Sequence, residues 1–363
     1  MKRRKRVLVA MSGGVDSSLA AAILKQKGYE AIGATMKLWP KEECTQDYDA
    51  RSCCSLRGIE DASHLALKMD IPHYVFDFYK EFKNEVIDYF CREYAMGFTP
   101  NPCIICNQKI KFGLFLKKAD ELSCEYMATG HYAKVGRNKL DGRYFIREGK
   151  DKEKDQSYFL SFLTQEALSR AVFPLENMTK IESRRLAKDL GLKVYDKKSS
   201  QEVCFVKGHY TDYVKRQYKD EFKEGDILNS KGEKIGQHKG IHFYTIGQRK
   251  GLGVHYKEPL YVIKIDKNEN TITVGTKKEV MKRVFVIRNP HWNLIKDIDK
   301  PIRAMCKIRY SHKKADAVID KISDRRLKVS FYEPQMAPTP GQAAVFYKDD
   351  KVLGGGWIDA VLE

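Results

Sequence analysis

Residues 12–18 combine two glycines, three serines and an aspartate where a predicted strand meets a predicted helix. The apolar run 7–11 precedes them, and the helical run 19–25 follows until Gly28 ends it. Glycines let the backbone curl so that its N–H groups point inward, and serine hydroxyls and the positive end of the helix dipole add further donors. The turn therefore predicts an anion cradle for phosphates. The alternative is an ordinary Ser/Gly turn with Asp16 as the helix N-cap.

Two cysteines lie in settings that favour a reactive thiolate. Cys106 follows a proline-marked loop and precedes apolar residues at helical spacing, so we expect it near a helix N-terminus with Lys109 and Lys111 close by. Cys204 lies in a serine-rich, basic loop. A helix N-terminus and positive charge both lower the pKa of a thiol. The setting of Cys106 therefore predicts redox, metal or nucleophilic chemistry. For Cys103, three positions earlier, a purely structural role as a small buried residue is a serious alternative.

The turn at 12–17 reads Ser-Gly-Gly-Val-Asp-Ser, which resembles the PP-loop of the ATP pyrophosphatase superfamily. It is not a Walker A motif, because no Lys-Ser/Thr follows the glycines at that spacing. The resemblance implies that ATP is cleaved between its α- and β-phosphates and that an oxygen of the substrate is adenylated. The residues expected to bind ATP in this turn are Ala10, Met11, Ser12, Gly13, Gly14, Val15, Asp16 and Ser17.

Strand-like and helix-like runs alternate through residue 132, which predicts an α/β domain with a parallel sheet. The predicted strands are 7–11, 29–36, 73–78 and 126–132, and the predicted helices between them include 57–69 and 80–95. Ligands of such sheets gather at the carboxyl ends of the strands. Met36 and Gly130 lie at two of these ends, so we expect both to contact adenine or ribose. A packing residue and a turn residue are the alternatives.

Beyond residue 208, helical runs give way to short β-like segments broken by glycines. Residues 241–253 form one such segment, and 261–265 with 271–274 predict a hairpin. From residue 284 the recurring strand-like runs predict an antiparallel β-barrel or sandwich. The predicted domains are a catalytic domain at 1–207, a small central β-rich domain at 208–280 and a C-terminal β domain at 281–363.

Composition points to a polyanionic partner and a reducing compartment. The 363 residues carry a formal charge of +18, and ten Lys or Arg against two acids fall between 282 and 314. Trp292, Tyr310, His291 and His312 are interleaved there, a pattern that suits RNA, with a solvated charged face as the alternative. No apolar run reaches the roughly 18 residues of a membrane span. Nine cysteines without a signal peptide predict a cytoplasmic location.

Five stretches together resemble the tRNA-specific 2-thiouridylase family (MnmA type), over nearly the whole chain. They are Ser-Gly-Gly-Val-Asp-Ser at 12–17, Asn-Pro-Cys-Ile-Ile-Cys-Asn at 101–107, Thr-Gly-His-Tyr-Ala at 129–133, Lys-Asp-Gln-Ser-Tyr-Phe-Leu at 154–160 and Tyr-Thr-Ile-Gly-Gln-Arg-Lys-Gly-Leu-Gly at 244–253. The resemblance implies a PP-loop domain, a small central domain and a C-terminal β-barrel, which is the division given above.

The resemblance implies a reaction as well. ATP adenylates the C2 oxygen of the wobble uridine in a tRNA anticodon, with Asp16 helping to place Mg²⁺. Cys204 matches the cysteine that carries persulfide sulfur from a donor protein, and Cys106 matches the nucleophile that closes a transient disulfide with it. The positions that match tRNA contacts are Asn101, Pro102, Cys103, His131, Lys154, Asp155, Gln156, Arg309, Tyr310 and Gln342.

Cys103 departs from the family, many members of which carry Asp there. An iron–sulfur cluster on Cys103, Cys106 and Cys204 is therefore a less favoured alternative. Zinc on Cys44, Cys53 and Cys54 is less favoured still, because adjacent cysteines are not the usual ligand spacing. The competing functions are a PP-loop ligase that amidates a small acid, another tRNA thiolase, and a non-catalytic RNA-binding protein.

Overall fold

The structure is a computed structural model that describes residues 4–39, 56–192, 194–196, 203–206, 208–217, 223–254 and 256–362. Cys44, Cys53, Cys54 and residues 197–202 of the loop before Cys204 lie outside the described residues.

The strands, in chain order, are β1 (Arg6–Ala10), β2 (Glu30–Lys37), β3 (His73–Asp77), β4 (Tyr126–Ala128), β5 (Ala133–Arg137), β6 (Tyr144–Glu148), β7 (Ala171–Val172), β8 (Gly225–Leu228), β9 (Lys234–His238), β10 (Tyr261–Asp266), β11 (Thr271–Gly275), β12 (Met281–Trp292), β13 (Ile302–Lys307), β14 (Ala315–Ser323), β15 (Arg326–Met336), β16 (Ala343–Lys348) and β17 (Lys351–Val361). The α-helices are α1 (Val15–Gln26), α2 (Leu56–Lys68), α3 (Tyr79–Phe82), α4 (Asp88–Ala95), α5 (Pro102–Ile105), α6 (Phe115–Glu121), α7 (Gln165–Arg170), α8 (Lys180–Asp189), α9 (Tyr210–Gln217) and α10 (Lys277–Val280). Lys83–Ile87 and Cys106–Leu114 are π-helical, and Ser157–Leu160 and Ile241–Phe243 are 3₁₀ turns.

The chain divides into two compact units. The first unit comprises residues 1–86, 103–205 and 350–352, and the second comprises 87–102, 206–349 and 353–363. The three domain boundaries drawn from the sequence stay a prediction. No helix in the described part of the chain is long and apolar enough to cross a bilayer.

A parallel sheet of order β3-β2-β1-β4-β7 forms the core of the first unit, which confirms the predicted parallel α/β domain. Val7, Leu8 and Val9 of the central strand β1 are fully buried. The chain passes outward from β1 to β3 and returns to β4 on the other side of β1. Such a reversal leaves a crevice at the carboxyl ends of the two diverging strands. The crevice lies where β1 runs into the turn at 12–18 and β4 runs into Gly130.

The strand order β12-β15-β14-β13-β16-β17 forms the C-terminal part of the second unit, and β12 also pairs with β17. That pairing closes the sheet, so of the two predicted architectures the chain adopts the barrel. Alternate residues of β15 are buried, among them Leu327, Val329 and Phe331, because successive side chains of a strand point to opposite faces. The barrel is filled by these apolar side chains.

A separate sheet of order β10-β11-β8-β9 lies in the second unit, and the predicted hairpin of 261–265 with 271–274 is confirmed. The β-like prediction for 241–253 was wrong. Ile241–Phe243 is a 3₁₀ turn, and residues 244–254, all of them described, contain no strand. Gly247, Gly251 and Gly253 have φ of +86°, +75° and +70°, in the left-handed region that breaks an extended strand.

The helical segment around Cys106 begins earlier than the sequence predicts. Pro102 opens α5, as proline commonly does at a first helical position, and the π-helical segment Cys106–Leu114 continues it into α6. Cys106 therefore lies in the second turn, and Cys103 lies in the first. The favourable effect of a helix N-terminus on a thiolate falls on Cys103 more than on Cys106.

Candidate nucleotide-binding and sulfur-transfer site

The turn between β1 and α1 is held by its own serines. The backbone N–H of Ser12 donates to Ser17 Oγ at 3.1 Å, and the hydroxyls of Ser17 and Ser18 donate to the carbonyl of Gly14 at 3.2 and 2.8 Å. Gly14 is the N-cap of α1 and no side chain caps this helix, so Asp16 is not the N-cap. The first turn of α1 is thereby left open to an anion at the positive end of the helix dipole.

Two glycines permit close backbone approaches at this turn. Gly13 has φ +66°, and a Cβ there would lie 2.3 Å from the carbonyl oxygen of Gly58 in α2. A Cβ on Gly130 would lie 2.6 Å from the carbonyl carbon of Asp16 and 2.8 Å from the N atom of Ser17. The end of β4 therefore touches the start of α1. The structure thus brings Gly130 to the predicted nucleotide-binding turn.

The remaining residues predicted to bind ATP occupy the strands behind the turn. Ala10 ends β1 and Met11 follows it; both are buried, and the N–H of Met11 donates to Ala34 in β2 at 2.8 Å. Met36 is a buried residue of β2. Contact of Met36 with adenine or ribose stays a prediction.

Asp16 is held by two side chains that come from distant parts of the sequence. The ammonium of Lys180 lies 2.7 and 2.6 Å from its two carboxylate oxygens, and the hydroxyl of Tyr132 donates to Oδ1 at 2.8 Å. Burial, and then the negative charge of Asp16, raise the pKa of Tyr132, so its hydroxyl stays protonated and donates. These two partners were not predicted. Tyr132 stands in a quoted motif, but no sequence signal links Lys180 to a residue 164 positions away.

The first helical residue of α8 is Lys180, and several contacts fix the start of this helix. Thr179 and Glu182 form a capping box, the Thr-x-x-Glu signature of a helix start, and the backbone N–H of Lys180 donates to Asp151 at 2.8 Å. Glu182 also pairs with Lys150. The position of the Lys180 backbone is therefore set independently of its side chain.

The segment at 154–160 fixes the backbone of Tyr132 through hydrogen bonds. Gln156 accepts the N–H of Tyr132 through Oε1 at 3.0 Å, and its own N–H donates to the Tyr132 carbonyl at 2.9 Å. Asp155 is buried and accepts from Gly149 and Ser157, and burial raises the pKa of its carboxyl. These contacts give Asp155 and Gln156 a positioning role. The predicted contact of Lys154, Asp155 and Gln156 with tRNA stays a prediction.

His131 is buried between Phe112 and Phe173, and its Nδ1 lies 2.6 Å from the hydroxyl of Thr129. Burial, and then the positive charge of Lys111, hold the pKa of His131 well below its usual range. The imidazole is therefore neutral at pH 7. Its predicted contact with tRNA stays a prediction.

Cys103, Cys106 and Cys204 are each half-buried in the first unit. Asn107, next to Cys106, donates from Nδ2 to the carbonyl of Phe159 at 3.0 Å, which ties two of the sequence motifs together. Phe205, next to Cys204, packs on Phe82 of α3 with ring centroids 5.8 Å apart. Helix α3 in turn adjoins the helical segment that begins at Cys106. These contacts place both cysteine segments around α3, and a disulfide between them stays a prediction.

No three His, Cys, Asp or Glu side chains form a metal-binding group within the described residues. Cys103, Cys106 and Cys204 are all described, so they do not form a preassembled three-thiol group.

In the second unit, Gln342 is hydrogen-bonded to the chain that leads to Asn101 and Pro102. Its Nε2 donates to the carbonyls of Thr99 and Pro100, both at 3.0 Å, and Asn101 is buried. Gln342 is thus held beside the start of the segment that contains Asn101 and Pro102. Elsewhere in the unit, Arg309 donates to the carbonyl of Met336 at 2.9 Å, and the ammonium of Lys307 lies 5.3 Å from the ring centroid of Tyr310.

The basic run from 282 to 314 is less available to RNA than the sequence indicates. Trp292 is 9% exposed and packs on Phe346, so its indole faces the barrel core rather than the surface. Arg288 pairs with the buried Glu93 and with Asp359. Trp292 occupies the inward-facing register of β12, which residue composition does not reveal.

Comparisons with known proteins cover the whole chain. Residues 5–208 match the family described as the tRNA methyl transferase HUP domain, 211–276 the tRNA methyl transferase PRC-barrel domain, and 282–358 the aminomethyltransferase beta-barrel domain. The chain is 45% identical over 363 residues to the tRNA-specific 2-thiouridylase MnmA of Clostridioides difficile (strain 630), covering 100% of both chains. It is 46% identical over 357 residues to the protein of that name from Moorella thermoacetica, covering 98% of this chain and 100% of the relative.

Proposed function

The chain belongs to the tRNA-specific 2-thiouridylase family, and on that premise we propose that it thiolates C2 of the wobble uridine in tRNA anticodons at the expense of ATP. As a member of this family it is a tRNA sulfurtransferase with a nucleotide-binding PP-loop. The observation that carries the proposal is the open first turn of α1, in contact with Gly130 at the crevice between β1 and β4.

The first step is adenylation. The C2 oxygen of the uridine attacks the α-phosphorus of ATP, an O–P bond forms, and the bond to the β-phosphate breaks to release pyrophosphate. The N–H groups and hydroxyls of 12–18 stabilise the charge that develops on the leaving group. The target base has to leave the anticodon stack to reach this crevice.

The carboxylate of Asp16 fits Mg²⁺ as a ligand, because it already binds a cation, the ammonium of Lys180. Magnesium is commonly bound through one or two carboxylates together with substrate phosphates. When bound, it supplies positive charge to the polyphosphate. Asp16 would hold it, and Tyr132 would orient that carboxylate through its hydroxyl.

The second step is sulfur transfer. A donor protein leaves a persulfide on Cys204, and the terminal sulfur attacks C2. Cys106 thiolate attacks Cys204 Sγ, so the persulfide bond breaks, AMP leaves C2 and a Cys106–Cys204 disulfide closes. A thiol reductant then returns two electrons to reopen it. In the alternative order Cys106 first releases free sulfide, which attacks C2 itself. We place the reaction in the cytoplasm, whose thiol pool supplies the reductant.

The experiment incubates the protein with ATP, a persulfide donor and unmodified tRNA, and measures 2-thiouridine by nucleoside mass spectrometry. We expect product with the wild-type protein and none with Cys106→Ser or Cys204→Ser. Cys124→Ala is the matched control, since burial raises the pKa of the Cys124 thiol to about 11 and keeps it unreactive.

The outcomes separate the competing functions. Absence of 2-thiouridine with folded protein and an active donor would contradict the proposal. Full turnover in both cysteine variants would favour a ligase acting on a small acid. Lack of tRNA-stimulated pyrophosphate release would favour a non-catalytic RNA-binding protein.

A further inference from the structure

Lys180 is a cation at the nucleotide-binding turn that belongs to none of the sequence motifs. Its ammonium contacts both oxygens of Asp16, and its side chain is 14% exposed against 31% for that of Asp16. The ammonium also lies 5.9 Å from the ring centroid of Tyr132. The contact is therefore a shielded ion pair within the candidate site.

The position of Asp16 creates an electrostatic conflict. It is the second residue of α1, in the same first turn whose open N–H groups would receive the polyphosphate. A carboxylate there repels a polyphosphate, and the repulsion is stronger in a partly desolvated site than in water. The turn can bind ATP well only when another positive charge compensates Asp16.

We propose that Lys180 is a positioning residue that neutralises Asp16 until Mg²⁺ arrives, so that the two cations serve in turn as the counter-ion of this carboxylate. The inference rests on the ATP binding of the proposed function. Before the metal binds, Lys180 and Tyr132 hold Asp16 in place. Asp16 would hold Mg²⁺ when the metal is bound, and the Lys180 ammonium would then be free to face the phosphates.

A purely structural tie between α1 and α8 explains the contact less well. The start of α8 is already fixed by the capping box of Thr179 and Glu182, by Asp151 and by the Glu182–Lys150 pair. An ammonium on both oxygens of a carboxylate adds little to that anchoring. What it changes is the charge that the turn presents to an anion.

The test measures the Kd of ATP by isothermal titration calorimetry on the full chain, once in EDTA and once in Mg²⁺. We expect Lys180→Met to raise the Kd about tenfold in EDTA, the size of an interaction of about 1.4 kcal/mol, and about threefold or less in Mg²⁺. Lys180→Arg keeps the charge and should restore binding. Lys188→Met, eight positions further along α8, is the matched control and should leave both values unchanged.

The double variant Asp16→Asn/Lys180→Met decides whether the effect runs through Asp16. Because the carboxylate charge is gone, its Kd in EDTA should return to within about threefold of the wild-type value. If Lys180→Met does not fold, Asp16→Asn alone serves, since the released Lys180 should tighten ATP binding in EDTA by about threefold.

Equal Kd values for wild type and Lys180→Met in EDTA would overturn the inference. So would a tenfold loss that persists in Mg²⁺ and in the double variant, because Lys180 would then act without Asp16. A wild-type protein that binds no ATP in either condition would overturn the proposed function and this inference together.

Discussion

The strand-end crevice of the first unit and the outer surface of the barrel in the second differ in how tightly their charged side chains are held. In the crevice, Asp16 accepts three contacts of 2.8 Å or less, and Gly130 leaves no room for a single added carbon. On the barrel, Arg303 lies 6.0 Å from the ring centroid of the exposed Tyr332, beside a shallow groove of about 400 Å³. The charged groups of the crevice are held by short hydrogen bonds and close packing, whereas those of the barrel surface are exposed and make longer contacts.

The difference follows from the chemistry expected of each region. A reacting phosphate needs donors within a few tenths of an ångström of their places, because misplaced groups lose transition-state stabilisation. A surface that tracks an RNA backbone works by summed charge, and each contact adds a modest share. Substitutions in the crevice should therefore have larger effects than substitutions on the barrel.

The largest expected effect is that of Gly130→Ala. Its Cβ would meet the Asp16 backbone at 2.6 Å, which a flexible side chain cannot relieve. We expect tRNA-dependent pyrophosphate release to fall by about a hundredfold or more. Gly28→Ala is the control for activity, because its Cβ would meet nothing within 4 Å and the position lies outside the turn. Its φ of +81° makes alanine costly for stability, but its pyrophosphate release should stay near the wild-type value. Near-normal release by Gly130→Ala would contradict the rigidity of the crevice.

Tyr132→Phe should have a smaller effect, because Asp16 keeps Lys180. Loss of the hydroxyl removes one charge-assisted hydrogen bond, so we expect the free energy of unfolding to fall by about 1 to 2 kcal/mol and pyrophosphate release to fall roughly tenfold. Urea denaturation measures the free energy of unfolding, and a pyrophosphate assay measures the rate of release. Tyr126→Phe is the control, since its hydroxyl lies 3.4 Å from the exposed Lys5. Equal unfolding free energies and equal rates of pyrophosphate release for the two variants would contradict a role for Tyr132 in the site.

The barrel variant Arg303→Ala/Tyr332→Ala should raise the Kd for tRNA only about threefold to tenfold, with the slope of log Kd against log salt lowered by about 1. Filter binding across a salt series measures both. Lys321→Ala is the control, because Asp297 and Asp324 already neutralise Lys321. An unchanged slope in the double variant would exclude this face from RNA binding, and a hundredfold loss would contradict the additive behaviour.

The smallest expected effect concerns pH. Burial, and then His238 and Lys215, lower the pKa of His242 in the second unit to about 4. The unfolded imidazole takes a proton below its ordinary pKa of about 6.5 while the folded one does not, so stability falls as pH falls from about 6.5 toward 4. Between about pH 7.5 and 6 the loss should be about 1 kcal/mol by urea denaturation. His242→Gln should reduce that loss, whereas the exposed His64→Gln should not.

Most of the local structure could be predicted. The turn at 12–18, the parallel strands, the capping box at Thr179 and the hairpin of β10 and β11 all follow from periodicity, turn residues and caps, which act between neighbours in the chain. The segment 241–253 is the counterexample. Its apolar residues fit a strand, but three glycines in the left-handed region turn the backbone instead.

By itself, the sequence determined the family and the nucleotide-binding turn and singled out the cysteines proposed to carry sulfur, because each depends on a few residues close together in the chain. Only the tertiary structure decided that β12 closes on β17, that Trp292 faces the barrel core, and that Lys180 neutralises Asp16. These contacts join residues far apart in the chain. The strand order and helix packing select them, and no local pattern in the sequence records that choice.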